Sequence, residues 1–354
     1  MKNGGPMLGY LVVAAVTAAC LALLLKDGRA QDEGSGASSR PAGPTVKYSK
    51  SGYDITPLSK ERLDEIKKTL TPEQIRIAFN AGTEPPHCGV FTDNKESGIY
   101  VSAVGGLPLF RSKAKFISKS GWASFYESFD PAHVIEREDR SHGMVRVEIL
   151  DARSGAHLGH VFDDGPQPTG LRYCLNSAVL KFIPEGAELP LESRPVASET
   201  AYFAGGCFWG IEDRFQKTAG VMDAVSGYMG GSVDAPGYKL VCTGTTGHAE
   251  TVKVVFDPKR TSYAALLDVF FGIHDATQMN RQGPDVGTQY RSAVFAATKE
   301  QAEAARKRIA TLGETPRYKG RKVVTEVVDP GPKFYEAEAY HQDYHKIHGG
   351  SCDN

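Results

Sequence analysis

Two cysteines of this chain stand in settings that suit a nucleophile. Cys207 lies in Gly205-Gly206-Cys207-Phe208-Trp209-Gly210. An apolar run before it, Ala201 to Ala204, reads as a short strand, and Phe208, Ile211 and Phe215 after it recur at helical spacing. A cysteine where a strand hands over to a helix meets unpaired amide N–H groups and the positive end of the helix dipole, and both favour a thiolate. The glycines allow another molecule to approach the sulfur closely. The aromatic pair Phe208-Trp209 suits an apolar substrate group. Glu250 ends Gly244-Thr245-Thr246-Gly247-His248-Ala249-Glu250, just before an alternating strand from Thr251. Burial there would raise its carboxyl pKa and keep a proton on it near neutral pH, as a general acid requires. An ordinary surface carboxylate at a strand start fits the local pattern equally well.

Cys174, in Arg172-Tyr173-Cys174-Leu175-Asn176-Ser177, is the second candidate. Upstream, Gly155-Ala156-His157-Leu158-Gly159-His160-Val161-Phe162-Asp163-Asp164-Gly165 places two histidines three apart. Two His and one Cys could ligate zinc, but a fourth ligand is missing. Nucleophilic catalysis with a histidine as proton donor suits the same residues at least as well. Gly121-Trp122-Ala123-Ser124-Phe125 supplies an aromatic platform. Other polar groups gather in the turn-rich Gln282 to Ser292, with Asp285 and Tyr290, and at Tyr228 and Tyr238 beside glycines. Cys352 follows Gly349-Gly350-Ser351 near the chain end, where a mobile cysteine can reach a second sulfur.

The elements that must hold these residues divide the chain. Its 354 residues allow two domains with cores of their own. Charges nearly cancel, 41 basic against 42 acidic, which gives no reason to expect nucleic acid. Met7 to Leu25 is uncharged, almost wholly apolar and just long enough to span a bilayer, with Lys2 before it. Gly28 and Ala30 are spaced for signal cleavage. Residues 1–30 therefore read as a signal peptide or anchor, and 31–52, rich in Gly, Ser and Pro, as a tether. An exported protein is expected, periplasmic or held at the outer face of the cytoplasmic membrane. Residues 53–185 form a first domain. Leu58-Ser59-Lys60-Glu61 opens one charged helix, and Thr71-Pro72-Glu73-Gln74 opens another through a capping box. Short apolar runs follow, with Val145 to Ile149 alternating as a half-buried strand. This domain is mainly β. Residues 186–199 are a linker, and 200–354 mix strands and helices as an α/β or α+β domain. No CxxC pair occurs among the six cysteines.

GGCFWG, TGHAE, QGPDVGTQYRS and AEAYHQDY (Ala337 to Tyr344) together resemble methionine sulfoxide reductase A over nearly the whole second domain. The resemblance implies a ferredoxin-like fold, Cys207 as nucleophile and Glu250 as acid. It places Tyr238, Asp285 and Tyr290 around the sulfoxide and Phe208 and Trp209 at its methyl. Cys352 would resolve, and Cys242 would be structural. GTEPP (Gly82 to Pro86), DNKE, GWASFY, EDRSHGMVR, GAHLGHVFDDGP and RYCLNSAVLKFIP resemble methionine sulfoxide reductase B. That resemblance implies paired antiparallel sheets, Cys174 as nucleophile and Trp122 at the methyl. His157, His160, Asp164 and Asn176 would complete the site, with His160 as the acid. Many members of that family carry a zinc site on two CxxC pairs. The corresponding positions here are Ser102, Gly105, Asp151 and Ser154, so no metal is expected. No cofactor is implied.

The implied enzyme reduces both epimers of methionine sulfoxide, free or in oxidised proteins: the S form in the second domain and the R form in the first. Each thiolate attacks the sulfoxide sulfur, leaves as a sulfenic acid and is resolved to a disulfide. Cys20 lies in the export segment and Cys242 and Cys352 in the other domain, which leaves Cys88, in an exposed Pro/Gly loop, to resolve Cys174. Some members of the family resolve through a cysteine in this loop. With no CxxC of its own, the chain would need a thioredoxin-like reductant. A thiol peroxidase using the same cysteines, or a non-catalytic binder of oxidised proteins, are the rival readings; turnover of methionine sulfoxide with dithiothreitol separates them.

Overall fold

Capping residues set the first two helices. The Ser59 hydroxyl accepts from the Arg62 amide at the head of α1 (Lys60–Lys67), and Thr71 and Gln74 exchange hydrogen bonds at the head of α2 (Pro72–Asn80). Both contacts satisfy amides that a helix start leaves unpaired. Ala81, in the left-handed region, ends α2. The computed structural model describes residues 46–350. The proposed export segment with Cys20, the tether up to Thr45 and the tail with Cys352 lie outside the described residues. Among the described residues, no helix is long and apolar enough to cross a membrane.

Antiparallel strands build the first domain: β1 (Gly98–Ser102), β2 (Pro108–Arg111), β3 (Lys115–Phe116), β4 (Ala123–Phe125), β5 (Val134–Asp139), β6 (Arg146–Asp151), β7 (His157–Phe162), β8 (Arg172–Leu175) and β9 (Leu180–Pro184). They form a three-stranded sheet, β2-β1-β9, and a six-stranded one, β3-β4-β8-β7-β6-β5. Tyr100, Phe110, Phe125, Leu158 and Leu175 pack in one buried cluster. The six-stranded sheet carries an irregularity that matters. Ile149 faces Gly159 but Leu150 faces His157, so Leu158 is an extra residue in β7. One extra residue reverses the alternation beyond it. His157 and His160, which a regular strand would send to opposite faces, therefore come together, ring centroids 5.5 Å apart. Gly159 sits between them at φ 154°, where a side chain would overlap the Cys174 carbonyl of the adjoining strand.

The alternation expected at Val145 to Ile149 is present, but its outer half is inverted. Val145 is 67% and Val147 36% exposed, while Glu148 is buried. The strand runs past the core here, and Glu148 turns inward because His157 and Arg137 supply partners for its carboxylate. The packed chain also begins before Tyr53. Ser49 is buried against His133, and Tyr48 bridges to Asp54, although both Tyr48 and Ser49 fall in the stretch read as tether. The partner of Ser49 lies 84 positions along the chain, out of reach of a compositional reading.

The second domain follows with β10 (Glu199–Gly205), α3 (Phe208–Gln216), β11 (Val221–Met229), α4 (Tyr238–Val241), β12 (Ala249–Phe256), α5 (Tyr263–Ile273), the short pair β13 (Arg281–Gln282) and β14 (Asp285–Val286), β15 (Ser292–Phe295), α6 (Lys299–Leu312), β16 (Glu326–Val328), β17 (Tyr335–Glu336) and α7 (Tyr344–His348). One mixed sheet runs β16-β15-β10-β12-β11-β17, parallel only between β15 and β16. Its core joins Phe203, Phe215, Val252, Val254 and Phe270. Two polar contacts tie the start of the first domain to the second: the Tyr48 hydroxyl donates to Asp257 at 3.3 Å, and Arg260 pairs with Asp54 at 3.5 Å.

Candidate active sites

Cys207 is the N-cap of α3, two residues past the end of β10, and its neighbour Phe208 opens the helix. Gly206 precedes it at φ 107°, and a Cβ there would come within 2.7 Å of Gln282 on β13. The glycine thus lets the β13–β14 hairpin, which carries Asp285, close against the cysteine loop. Glu250 on β12 is 2% exposed, and its Oε2 accepts from the Phe208 amide at 3.0 Å. Burial pushes its carboxyl up to about 8; the Phe208 amide opposes this and the Asp285 charge adds to it. A proton therefore resides on Glu250 at neutral pH, on a carboxyl bonded to the amide of the residue after Cys207. Burial, then the Glu250 and Asp285 charges, hold the Tyr290 hydroxyl well above the ordinary tyrosine value, as a donor. Tyr238 is raised too, by burial first and then by Cys242, whose sulfur its hydroxyl reaches. Phe208 is buried and backs the site, stacking with Tyr238 at 6.5 Å. Trp209 is half-buried and lies flat on Tyr344, 3.8 Å between centroids.

The Cys174 site is built across strands. His160 faces Cys174 between β7 and β8, and Ser124 faces it between β4 and β8. The thiol is half-buried, with the Ser120 hydroxyl at 3.7 Å. Burial pushes the thiol up; Ser120 and the Arg172 guanidinium pull it back without cancelling the rise. His160 Nε2 meets Asp139 at 2.8 Å, and Arg146 meets the same carboxylate at 2.6 Å. Hydrogen bonds from the Ser141 side chain and amide, then from His160, hold Asp139 well below the usual carboxylate range. An ionised Asp139 fixes the proton of His160 on Nε2. His157 is buried, its Nδ1 2.7 Å from Glu148 Oε1. Trp122 donates its indole N–H to the Glu84 carbonyl at 3.0 Å, which draws the loop of Cys88 onto the loop of Ser120. Cys88 is exposed there.

A family model described as peptide methionine sulfoxide reductase matches residues 199–353, and one described as SelR domain matches residues 70–184. The peptide methionine sulfoxide reductase MsrA of Deinococcus radiodurans is 53% identical over 154 residues, 44% of this chain and 74% of that protein. The MsrA of Methanothermobacter thermautotrophicus is 52% identical over 146 residues, 41% of this chain and 85% of that protein. The chain belongs to the peptide methionine sulfoxide reductases. Its SelR domain, the B type, precedes the A-type domain, and it reduces methionine sulfoxide. Among solved structures, reduced Mxr1 of Saccharomyces cerevisiae is similar at 37% identity and a TM-score of 0.42, over 45% of this chain and 91% of that one.

Two residues that the resemblance gives to substrate binding in the reductase are otherwise engaged. Asn176 is 2% exposed; its Oδ1 accepts from the Glu84 amide and its Nδ2 donates to the Leu158 carbonyl. It staples the cysteine loop to β7. Asp164 has a side chain 59% exposed and is paired with Arg172 through both oxygens, at 2.8 and 2.9 Å. Arg172 itself, two residues before the sulfur on the same strand face, was within reach of the alternation rule and is absent from the sequence-based site.

The zinc positions of the reductase do not fit zinc. Asp151 is fully buried. Its Oδ2 accepts from Ser102 at 2.5 Å and Ser154 at 2.7 Å, and its Oδ1 from the Arg153 amide at 2.9 Å. The Ser102 hydroxyl in turn accepts from the Gly105 amide at 2.9 Å. One carboxylate thus ties the two loops that a metal would join, and its oxygens are already committed. Among the described residues, no cluster of three or more His, Cys, Asp or Glu could hold a metal ion.

Proposed function

We propose that Cys207 and Cys174 act as two independent nucleophiles, on the S and R epimers respectively. The observation that carries this reading is that each half of the chain holds a half-buried cysteine with its own polar partners: Glu250, bonded to the amide next to Cys207, in one case, and Arg172 and His160 beside Cys174 in the other. In the A-type site the Cys207 sulfur attacks the sulfoxide sulfur, and the S–O bond breaks toward the enzyme. Glu250 gives its proton to the oxygen, helped by Tyr238 and Tyr290, with Asp285 nearby. Thioether and a cysteine sulfenic acid result. In the B-type site His160 acts as the doubly protonated imidazolium: Asp139 keeps the Nε2 proton, the Nδ1 proton goes to the sulfoxide oxygen, and the neutral ring that remains takes up a proton before the next turnover; Trp122 meets the methyl. His157 stiffens the arrangement through Glu148.

A second thiol then displaces water from each sulfenic acid to give a disulfide: Cys352 for Cys207 and Cys88 for Cys174. A thioredoxin-like dithiol reduces both, since the chain has no CxxC pair. The reaction is proposed to take place outside the cytoplasmic membrane, on the strength of the apolar run Met7 to Leu25 with Lys2 before it. A reporter fused after Asn354 that works only in the cytoplasm should be silent. The main test is chiral chromatography of racemic substrate. Cys207→Ser should spare the R epimer's turnover and abolish the S epimer's; Cys174→Ser should do the reverse. Loss of both activities in either folded variant rules out independent sites.

A further inference from the structure

His341 is absent from every role above, yet it is built into the A-type site. It follows β17 in the Ala339–His341 turn and is 1% exposed. Its ring lies 5.1 Å from Phe208, 5.7 Å from Trp209, 4.3 Å from Tyr238 and 4.2 Å from Tyr340, centroid to centroid. Its Nδ1 accepts the Trp209 indole N–H at 3.1 Å. An indole nitrogen can only donate, so Nδ1 must be bare and the proton of a neutral ring must be on Nε2. Among the described residues that buried Nε2 has no hydrogen-bond partner; the Glu338 Oε2 is 3.9 Å away. An unpaired buried N–H costs stability, which an apolar side chain would avoid. The cost makes sense if Nδ1 is needed.

We propose that His341 is a positioning residue of the Cys207 site: its bare Nδ1 holds the Trp209 indole in the orientation that seats the sulfoxide methyl, so the seat is complete only while this imidazole is neutral. The inference rests on the proposed role of Trp209 and deepens it. Trp209 is fixed at two places, its nitrogen by His341 and its ring face by Tyr344. Glu338, one turn earlier, fixes the rest of the wall: Oε1 accepts from the Tyr238 amide and Oε2 from the Tyr228 hydroxyl, both at 2.9 Å. The AEAYHQDY stretch is thus a clamp on the aromatic pocket. The titratable groups that face the imidazole are Glu338, Tyr238 and Tyr340; the others against it are the Phe208 and Trp209 rings. Burial holds His341 below the ordinary 6.5, against the Glu338 charge, which raises it. The seat is therefore whole above that lowered value and lost as pH falls through it.

The test uses the full chain in single turnover without reductant, so that recycling does not enter. His341→Leu should raise the S-sulfoxide concentration for half-maximal rate about tenfold while the maximal rate changes less than about threefold. Asn places an oxygen where Nδ1 stands, and Gln places one near Nε2. His341→Asn should restore near-normal half-saturation and remove its rise at acid pH; His341→Gln should resemble Leu. Rescue by Gln but not Asn overturns the proposal. A second readout needs no activity. In a Trp122→Phe background Trp209 is the one remaining indole of the two in the chain. Its emission should be quenched on acidification below pH 6.5 with histidine at 341 and not with asparagine. An unchanged emission titration overturns the proposal. Absence of S-epimer turnover, with the emission titration intact, would instead strike the functional reading on which it rests.

Discussion

Glu250 and Phe208 meet through a 3.0 Å hydrogen bond from backbone amide to carboxyl, and Phe208 is the residue next to Cys207. The proposed acid is thus tied to the proposed nucleophile through the main chain, and rotation of the cysteine side chain leaves that bond in place. The carboxyl, pushed up to about 8 by burial, is protonated at neutral pH and ionises above it. Turnover of the S epimer should therefore fall as pH rises through about 8. Glu250→Gln should lower single-turnover reduction by about a hundredfold or more and abolish that alkaline limb. Stopped-flow measurement of the S-epimer rate between pH 6 and 10 checks both.

Arg172 should be the residue that makes Cys174 usable. Burial raises this thiol, and the guanidinium is one of the groups that lower it. Arg172→Met should raise it further, slow R-epimer reduction at pH 7 about three- to tenfold, and let the rate recover as pH rises. Alkylation of Cys174 by iodoacetamide against pH, in a Cys88→Ser background, reads the shift directly. An unchanged profile would leave Arg172 with only its pairing to Asp164.

Resolution can be tested by chemistry on the intact chain. One turnover without reductant should leave a Cys88–Cys174 disulfide in the peptide map and a Cys207–Cys352 disulfide beside it. Cys88→Ser should leave Cys174 as a sulfenic acid, trapped by dimedone, and slow thioredoxin-dependent turnover of the R epimer.

The Asp151 joint predicts a stability effect without an activity effect of its own. Asp151→Ala strands the hydroxyls of Ser102 and Ser154 and the Arg153 amide, which should cost about 2–4 kcal/mol. Urea denaturation checks it. Arg260→Ala, by contrast, breaks two long 3.5 Å contacts of a 45% exposed guanidinium, to Asp54 and to the buried Asp257, and should cost about 1 kcal/mol or less.

Local chemistry made much of this molecule legible in its sequence. The capping box at Thr71 and the strand into Cys207 each follow from neighbours within a few residues, whereas the local pattern at Glu250 left burial and exposure equally open. What escaped depends on pairing across the chain. The extra residue at Leu158 brings His157 and His160 to one face, and nothing in Gly155 to Gly165 announces it. Glu148 reads as the outward residue of an alternating strand until His157 and Arg137 are seen to claim it. Asn176 enters the site only through the resemblance to the B-type family; its bonds to the Glu84 amide and the Leu158 carbonyl depend on segments far apart in the chain. His341 lies 132 positions from the indole it accepts from, beyond the reach of any spacing rule.

The Asp151 joint also bears on survival of the enzyme in its own working conditions. A cluster of zinc-bound thiolates can be oxidised, and it lets go of its metal when it is. A repair enzyme that depended on one for its shape would be unmade by the oxidant whose damage it reverses. Here the joint is two hydroxyls, a backbone amide and a carboxylate. None of these groups carries a sulfur to oxidise, and a chelator finds nothing in them to remove.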